Sequence, residues 1–250
     1  MTNIYLVYDK ELGRHKYFIT EYPDNDYIEK TVTYFCEVSI YGEYIKPGKI
    51  EVYLRNGECY IIECWVTFYT SQFGIQVSHD GQFVYVNSDE KGLWCYTYKG
   101  ELVWKTRYTS VSHIIENDNN TVTCITSTKI IILDEGGKKI KERKIQHYHA
   151  EKASKNLIYA AVTENTMALI DCKTLDIIWK SSLKELGLNH SRYAVLYDRY
   201  LIIKGEKQYG GLVFIPIELP REIYQRSKYD VTIASKDGFD TYIKSLKSPS

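Results

Sequence analysis

The chain has 250 residues, 44% of them hydrophobic and 26% charged, an ordinary balance for a globular protein with a sizeable core and one that argues against disorder. Lys plus Arg and Asp plus Glu each number 32, so the formal net charge is zero and the basic excess typical of nucleic-acid and anionic-membrane binders is missing. The unusual figure is 24 Tyr against 2 Met and 5 Pro, because Tyr suits half-buried pleated surfaces and supplies rigid contact area at low entropic cost.

The opening MTNIYLVYDKELGR has no charged stretch followed by an apolar run, and no segment reaches about 18 apolar residues. A cytoplasmic protein without a membrane span is expected. Cys36, Cys59, Cys64, Cys95, Cys124 and Cys172 lie in apolar strand-like runs and none forms C-x-x-C. They are expected as reduced, buried thiols rather than a disulfide framework.

The pattern predicts strands at 4–8, 16–20, 31–40, 49–54 and 58–68, the last two flanking Asn56-Gly57, a strong hairpin signal. From residue 73 onward the chain repeats. First strong strands fall at 83–87 (FVYVN), 121–126 (TVTCIT), 157–162 (LIYAAV) and 200–204 (YLIIK), their starts 38, 36 and 43 residues apart. Second strands follow at 93–98, 130–134, 167–172 and 211–215, and third strands at 101–105, 138–144, 176–180 and 221–225. Turns at Lys99-Gly100, Glu135-Gly136-Gly137 and Lys173-Thr174 separate the second from the third. A shorter strand precedes each unit, clearest at 74–78 before Asp80-Gly81. Short helices are predicted at 181–188 (SSLKELGL) and 238–246.

Four strands recurring about every 40 residues predict an all-β fold, a β-propeller of about five to six four-stranded blades. The expected organisation is one domain. Residues 1–72 form irregular N-terminal blades, 73–226 hold four recognisable repeats, and 227–250 give a closing strand and a frayed tail.

The stretches ALIDCKTLDIIW and CYTYKGELVW resemble the repeat of PQQ-type propellers, with a strand, a turn and a Trp near the end of the outer hairpin. VSHDGQFVYV at 77–86 resembles the blade opening of WD40-like and lactonase-like propellers. The resemblance covers about residues 73–226. It implies that Trp104 and Trp179 pack between blades. The sequence departs from the pattern at Leu175, where the family has a turn Gly, and in the repeat at 119–145, where Ile140 or Ile145 stands in the place of Trp. Quinoprotein enzymes of that group have more blades, an export signal and a metal-assisted cofactor pocket, and none of these is visible here, so no cofactor or catalytic residue is expected.

Local chemistry is sparse. His147, His149 and Glu151 would share one face of an extended strand and could hold a divalent metal, against the alternative of an interblade loop with incidental histidines. The run 116–120 (ENDNN) lacks the calcium-loop pattern and reads as a turn, as does His79-Asp80-Gly81. The basic stretch 138–144 (KKIKERK) reads as a solvated outer strand whose lysines discourage edge pairing. No nucleophile elbow, P-loop, dinucleotide fingerprint or HExxH occurs.

In a propeller, the connection entering each innermost strand lies on the usual ligand face. Those connections contain Tyr69 and Gln72, Arg107 and Tyr108, His147, Tyr148 and His149, and His190, Arg192 and Tyr193, residue types enriched at interface hot spots. The reading is a non-catalytic propeller that binds a protein and is monomeric when unbound. Its sharpest form is a cytoplasmic immunity protein that neutralises a toxin. The alternative is a lactonase-like hydrolase with a metal in the central channel.

Overall fold

The computed structural model describes residues 3–11, 14–38, 44–66, 75–88, 92–117, 119–146, 150–154, 156–197, 200–206 and 211–217. Sheet 1 contains β1 (Asn3–Asp9), β2 (Arg14–Glu21) and β3 (Ile28–Tyr34). A two-stranded ribbon, β4 (Glu37–Val38) and β5 (Tyr44–Lys46), then intervenes before β6 (Gly48–Leu54) and β7 (Cys59–Cys64) complete the sheet in the order β1-β2-β3-β6-β7. Sheet 2 is β8 (Ile75–Val77), β9 (Phe83–Ser88), β10 (Gly92–Thr97) and β11 (Leu102–Lys105). Sheet 3 is β12 (Val111–Glu116), β13 (Val122–Thr126), β14 (Lys129–Leu133) and β15 (Lys139–Lys144). Sheet 4 is β16 (Ala150–Lys152), β17 (Leu157–Thr163), β18 (Thr166–Asp171) and β19 (Ile177–Ser182). Sheet 5 is β20 (His190–Tyr197), β21 (Tyr200–Glu206) and β22 (Gly211–Pro216). Within each sheet, neighbouring strands are antiparallel.

The sheets stack face to face in chain order, and alternation along each strand explains how. On β17, Leu157, Tyr159 and Ala161 pack towards sheet 5, whereas Ile158 and Ala160 pack towards sheet 3. The two-residue side-chain period therefore feeds two interfaces at once, which is why such strands read as unbroken apolar runs. Further apolar clusters join sheet 1 to sheet 2 around Ile50, Val52 and Val84, and sheet 2 to sheet 3 around Leu93, Trp104 and Cys124. The first strands of successive sheets lie close together: Gln76 Nε2 on β8 donates to Ile114 O on β12 (2.8 Å), and Leu196 N on β20 donates to Ala153 O after β16 (2.9 Å). The last strands form the rim, and β11, β15 and β19 expose Leu102 and Val103, Ile140 and Ile177. Stacked antiparallel sheets with first strands inward and last strands outward make the chain a β-propeller.

Each rim hairpin repeats one device. The β10–β11, β14–β15 and β18–β19 ladders all break register just after the pairs Cys95↔Trp104, Ile132↔Lys141 and Leu169↔Trp179. Lys141 therefore occupies the Trp position of its repeat, not Ile140, which is 58% exposed, nor Ile145, which lies beyond β15 in the core. The bulge is common to all three hairpins, so spacing from the turn is kept: Lys141 follows Gly137 by four residues, as Trp104 follows Gly100 and Trp179 follows Leu175. The side chain at this position meets the turn of the following sheet. Trp104 covers Gly137, where an added Cβ would lie 2.7 Å from the indole. Lys141 Nζ donates to Thr174 O (2.5 Å) and lies 3.6 Å from the Asp176 carboxylate, while Arg143 Nε donates to Leu175 O (2.7 Å). Gly137 (φ 77°) and Leu175 (φ 59°) share the left-handed turn position. Opposite Trp only Gly fits; opposite Lys there is room for a side chain, and the leucine is fully buried in the sheet 3–sheet 4 core.

The predicted helix at 181–188 is instead the end of β19 followed by a single turn. Ser182 and Glu185 do form reciprocal capping bonds, Ser182 N to Glu185 Oε2 (2.9 Å) and Glu185 N to Ser182 Oγ (3.1 Å). Gly187 at φ 64° ends the turn, so that Leu183 and Leu188 both reach the core. The predicted strand at 221–225 and the predicted helix at 238–246 lie outside the described residues.

Candidate functional site

Four strands per sheet return the chain to the same face each time, so the connections at 106–110 and 183–189 emerge on one side. Tyr69, Gln72, His147, Tyr148 and His149 lie outside the described residues. Arg107 and Tyr108 are described in detail. Gly92 begins β10 at φ 97°, and a Cβ there would lie 2.0 Å from Thr106 O, so only glycine lets the connection cross so closely. Thr106 N donates to Leu93 O (2.8 Å), and Tyr108 N donates to Thr106 Oγ1 (3.3 Å). Asn87 Nδ2 donates to Val111 O (2.8 Å), fixing the start of β12. The result is a pinned connection in which Tyr108 is half-buried against the sheet 2–sheet 3 core and Arg107 is exposed.

His190 opens β20, exposed, immediately after the turn anchored by Leu183 and Leu188. Arg192 stands at the register shift between Ser191 and Tyr193 on the same strand. Arg107, Tyr108 and His190 thus share a face, in connections two sheets apart.

The opposite face carries the turns between first and second strands. Here Ser78 Oγ donates to Asp80 Oδ1 (2.6 Å), Gly81 takes φ 71°, and Glu116 accepts from His79 N (2.7 Å) and from Tyr85 OH (2.9 Å). His79 is therefore part of a hairpin turn clasped by the next sheet. Asn117 Nδ2 donates to Thr121 Oγ1 and Thr123 Oγ1 (3.0 and 2.9 Å), a turn network. Among the described residues, no group of three or more His, Cys, Asp or Glu is placed to hold a metal.

The basic strand β15 is largely engaged within the chain. Glu142 lies 3.0 Å from Lys139 Nζ and 3.5 Å from Lys129 Nζ, and the Lys139 bond holds its carboxyl below the usual range. Lys141 and Arg143 bind the neighbouring turn, as described.

A tyrosine group at the seam of sheets 1 and 2 escaped the sequence reading. Tyr27 OH donates to Tyr98 OH (2.7 Å), with ring centroids 4.9 Å apart at 77°. Tyr60 stands 5.5 Å from Tyr98 at 81°, and its hydroxyl donates to Glu58 (3.2 Å). Lys99 Nζ lies 5.6 Å from the Tyr98 centroid. The sequence signal was present in the tyrosines beside the Asn56-Gly57 and Lys99-Gly100 turns, but nothing local says that they meet across a seam.

No family model matches the sequence, and no curated protein sequence matches it. Among solved structures, the C-terminal WD40 domain of Sif2 is similar with a TM-score of 0.50 and 11% identity, over 82% of this chain and 56% of that one. The likeness is one of fold. The dihydro-heme d1 dehydrogenase NirN, solved in complex with DHE, matches at a TM-score of 0.49 and 12% identity, over 84% of this chain and 54% of that one. BamB from Moraxella catarrhalis matches at 0.49 and 14%, over 78% of this chain and 59% of that one. The chain thus spans little more than half the length of these structures. Among the described residues, no helix is long and apolar enough to cross a membrane.

Proposed function

We propose that the chain is a non-catalytic protein-binding propeller, in its sharpest form a cytoplasmic immunity protein that binds and neutralises a toxin. The observation that supports this reading is the pinned connection at 106–110, which holds Tyr108 half-buried and turns Arg107 to solvent. A rigid support with an exposed Arg beside a Tyr is the composition and preorganisation of an interface hot spot. His190 extends the same face, and Tyr69, Gln72, His147, Tyr148, His149, Arg192 and Tyr193 belong to it by their place in the repeat. The propeller fold is compatible with this role.

The test is isothermal titration of the purified chain with the protein encoded by the adjacent reading frame. The reading predicts saturable binding that Arg107→Glu weakens at least about tenfold while leaving the melting temperature unchanged, as expected for an exposed hot-spot arginine. Absence of binding, together with a stoichiometric divalent metal and lactone hydrolysis lost in His147→Ala or His149→Ala, would replace it with the hydrolase reading.

A further inference from the structure

The tyrosine group at the sheet 1–sheet 2 seam lies on the face opposite Arg107 and His190, and it has the make-up of a cation site. Its rings meet edge to face, Tyr27 and Tyr60 lying against Tyr98 at 77° and 81° with centroids 4.9 and 5.5 Å away. Ring faces carry negative quadrupole density, and the exposed Glu58 carboxylate beside Tyr60 adds full charge at the same place. The backbones of Tyr27 and Tyr98 are held by hydrogen bonds. Asn25 Oδ1 accepts from Tyr27 N (2.9 Å), Arg55 N donates to Tyr27 O (3.1 Å), and Tyr98 N donates to Gln82 O (3.0 Å). A cation of the chain already sits there, since Lys99 places its ammonium over the middle ring. Lys99 is exposed and its ammonium is strongly hydrated, so its hold is weak.

We propose that Tyr27, Tyr60 and Tyr98, with Glu58, form a docking site for an arginine side chain of a protein partner, with Lys99 as the resident cation that the arginine displaces. Guanidinium suits the place better than ammonium for two reasons. It is planar and weakly hydrated, so it lies on a ring face at low desolvation cost, and its fork matches a carboxylate in two bonds. The site is independent of the face assigned to Arg107 and stands whether or not that reading holds.

The probe is a fluorescent acetyl-(Gly-Arg)3-amide peptide, titrated with the intact chain at low salt and read by anisotropy, beside its Lys counterpart. The proposal predicts that the Arg peptide binds more tightly than the Lys peptide. Lys99→Ala should tighten Arg binding roughly two- to fivefold, the release of one exposed cation–π contact. Glu58→Gln, an exposed change that leaves the fold intact, should weaken it by at least the same factor. Tyr98→Leu should abolish binding, with near-ultraviolet circular dichroism confirming a native fold. An Arg peptide that fails to bind at millimolar concentration, or binding indifferent to Lys99→Ala and Glu58→Gln, overturns the proposal.

Discussion

Replacing Gly137 by alanine probes the packing of one sheet on the next at a single atom. The added Cβ would lie 2.7, 2.8 and 2.9 Å from Cδ2, Cε3 and Cγ of Trp104, in a residue with φ 77°. Two costs add: a left-handed backbone disfavours any L side chain by about 1–2 kcal/mol, and a methyl forced against a packed ring costs about 1–3 kcal/mol more. Gly57 supplies the control, because its φ is 88° and no atom lies within 4 Å of its added Cβ. Gly57→Ala should therefore carry only the backbone cost, about 1–2 kcal/mol. In a chain of this size 1 kcal/mol shifts Tm by about 2–4 °C, so Gly137→Ala should melt roughly 2–12 °C below Gly57→Ala in scanning calorimetry. In a Trp104→Leu background the excess should vanish, a coupling of about 1–3 kcal/mol. Equal melting temperatures for the two glycine variants, or strict additivity with Trp104→Leu, would refute the reasoning.

Leu175→Gly should destabilise by about 1–3 kcal/mol in urea titration, since relief of the left-handed strain is smaller than the loss of a fully buried leucine; a rise in the urea midpoint would contradict this. Iodoacetamide at pH 8 should label Cys59 rapidly in the native protein and leave the other five thiols untouched, because Cys59 alone of the six is exposed; two or more fast thiols would contradict it. Burial pushes the thiols of Cys95 and Cys124 and the phenol of Tyr159 up to about 12. The unfolded chain ionises these groups near pH 8.5 and 10, so it releases protons that the fold retains, and stability should fall as pH rises from about 8.5 towards 12. A urea midpoint unchanged between pH 8 and pH 11 would show that these groups titrate alike in both states.

Much of the architecture was legible because a propeller writes its period into the chain. Runs such as LIYAAV look unbroken for a physical reason: Ile158 and Ala160 serve one interface while Leu157, Tyr159 and Ala161 serve the other. Turn chemistry was equally readable at Asn56-Gly57 and Asp80-Gly81, where glycine adopts φ 88° and 71°. The place of the missing Trp was sought among apolar residues, Ile140 or Ile145, whereas four-residue spacing from the turn leads to Lys141, a charged side chain that meets the next turn by hydrogen bonding instead of by ring packing. The helix at 181–188 failed because its capping signal was genuine while Gly187 and two buried leucines stopped it after one turn. The site was less legible. Arg107 was singled out by its place in the repeat, but its support by Gly92 and Thr106 is a backbone matter that no side-chain pattern reports. The Tyr27–Tyr60–Tyr98 group depends on residues up to 71 positions apart meeting at a seam, a relation fixed only by the stacking of sheets.

The central claim is that this propeller works by binding a protein through the face that carries Arg107, Tyr108 and His190. Surface plasmon resonance with the adjacent-frame product immobilised tests it most directly, comparing the wild-type chain with Arg107→Glu and with His190→Glu. The account predicts one-to-one binding by the wild type and a faster off-rate for both variants, with Arg107→Glu the more severe. Binding unaffected by either substitution, or no binding beside a metal-dependent hydrolytic activity, would contradict it.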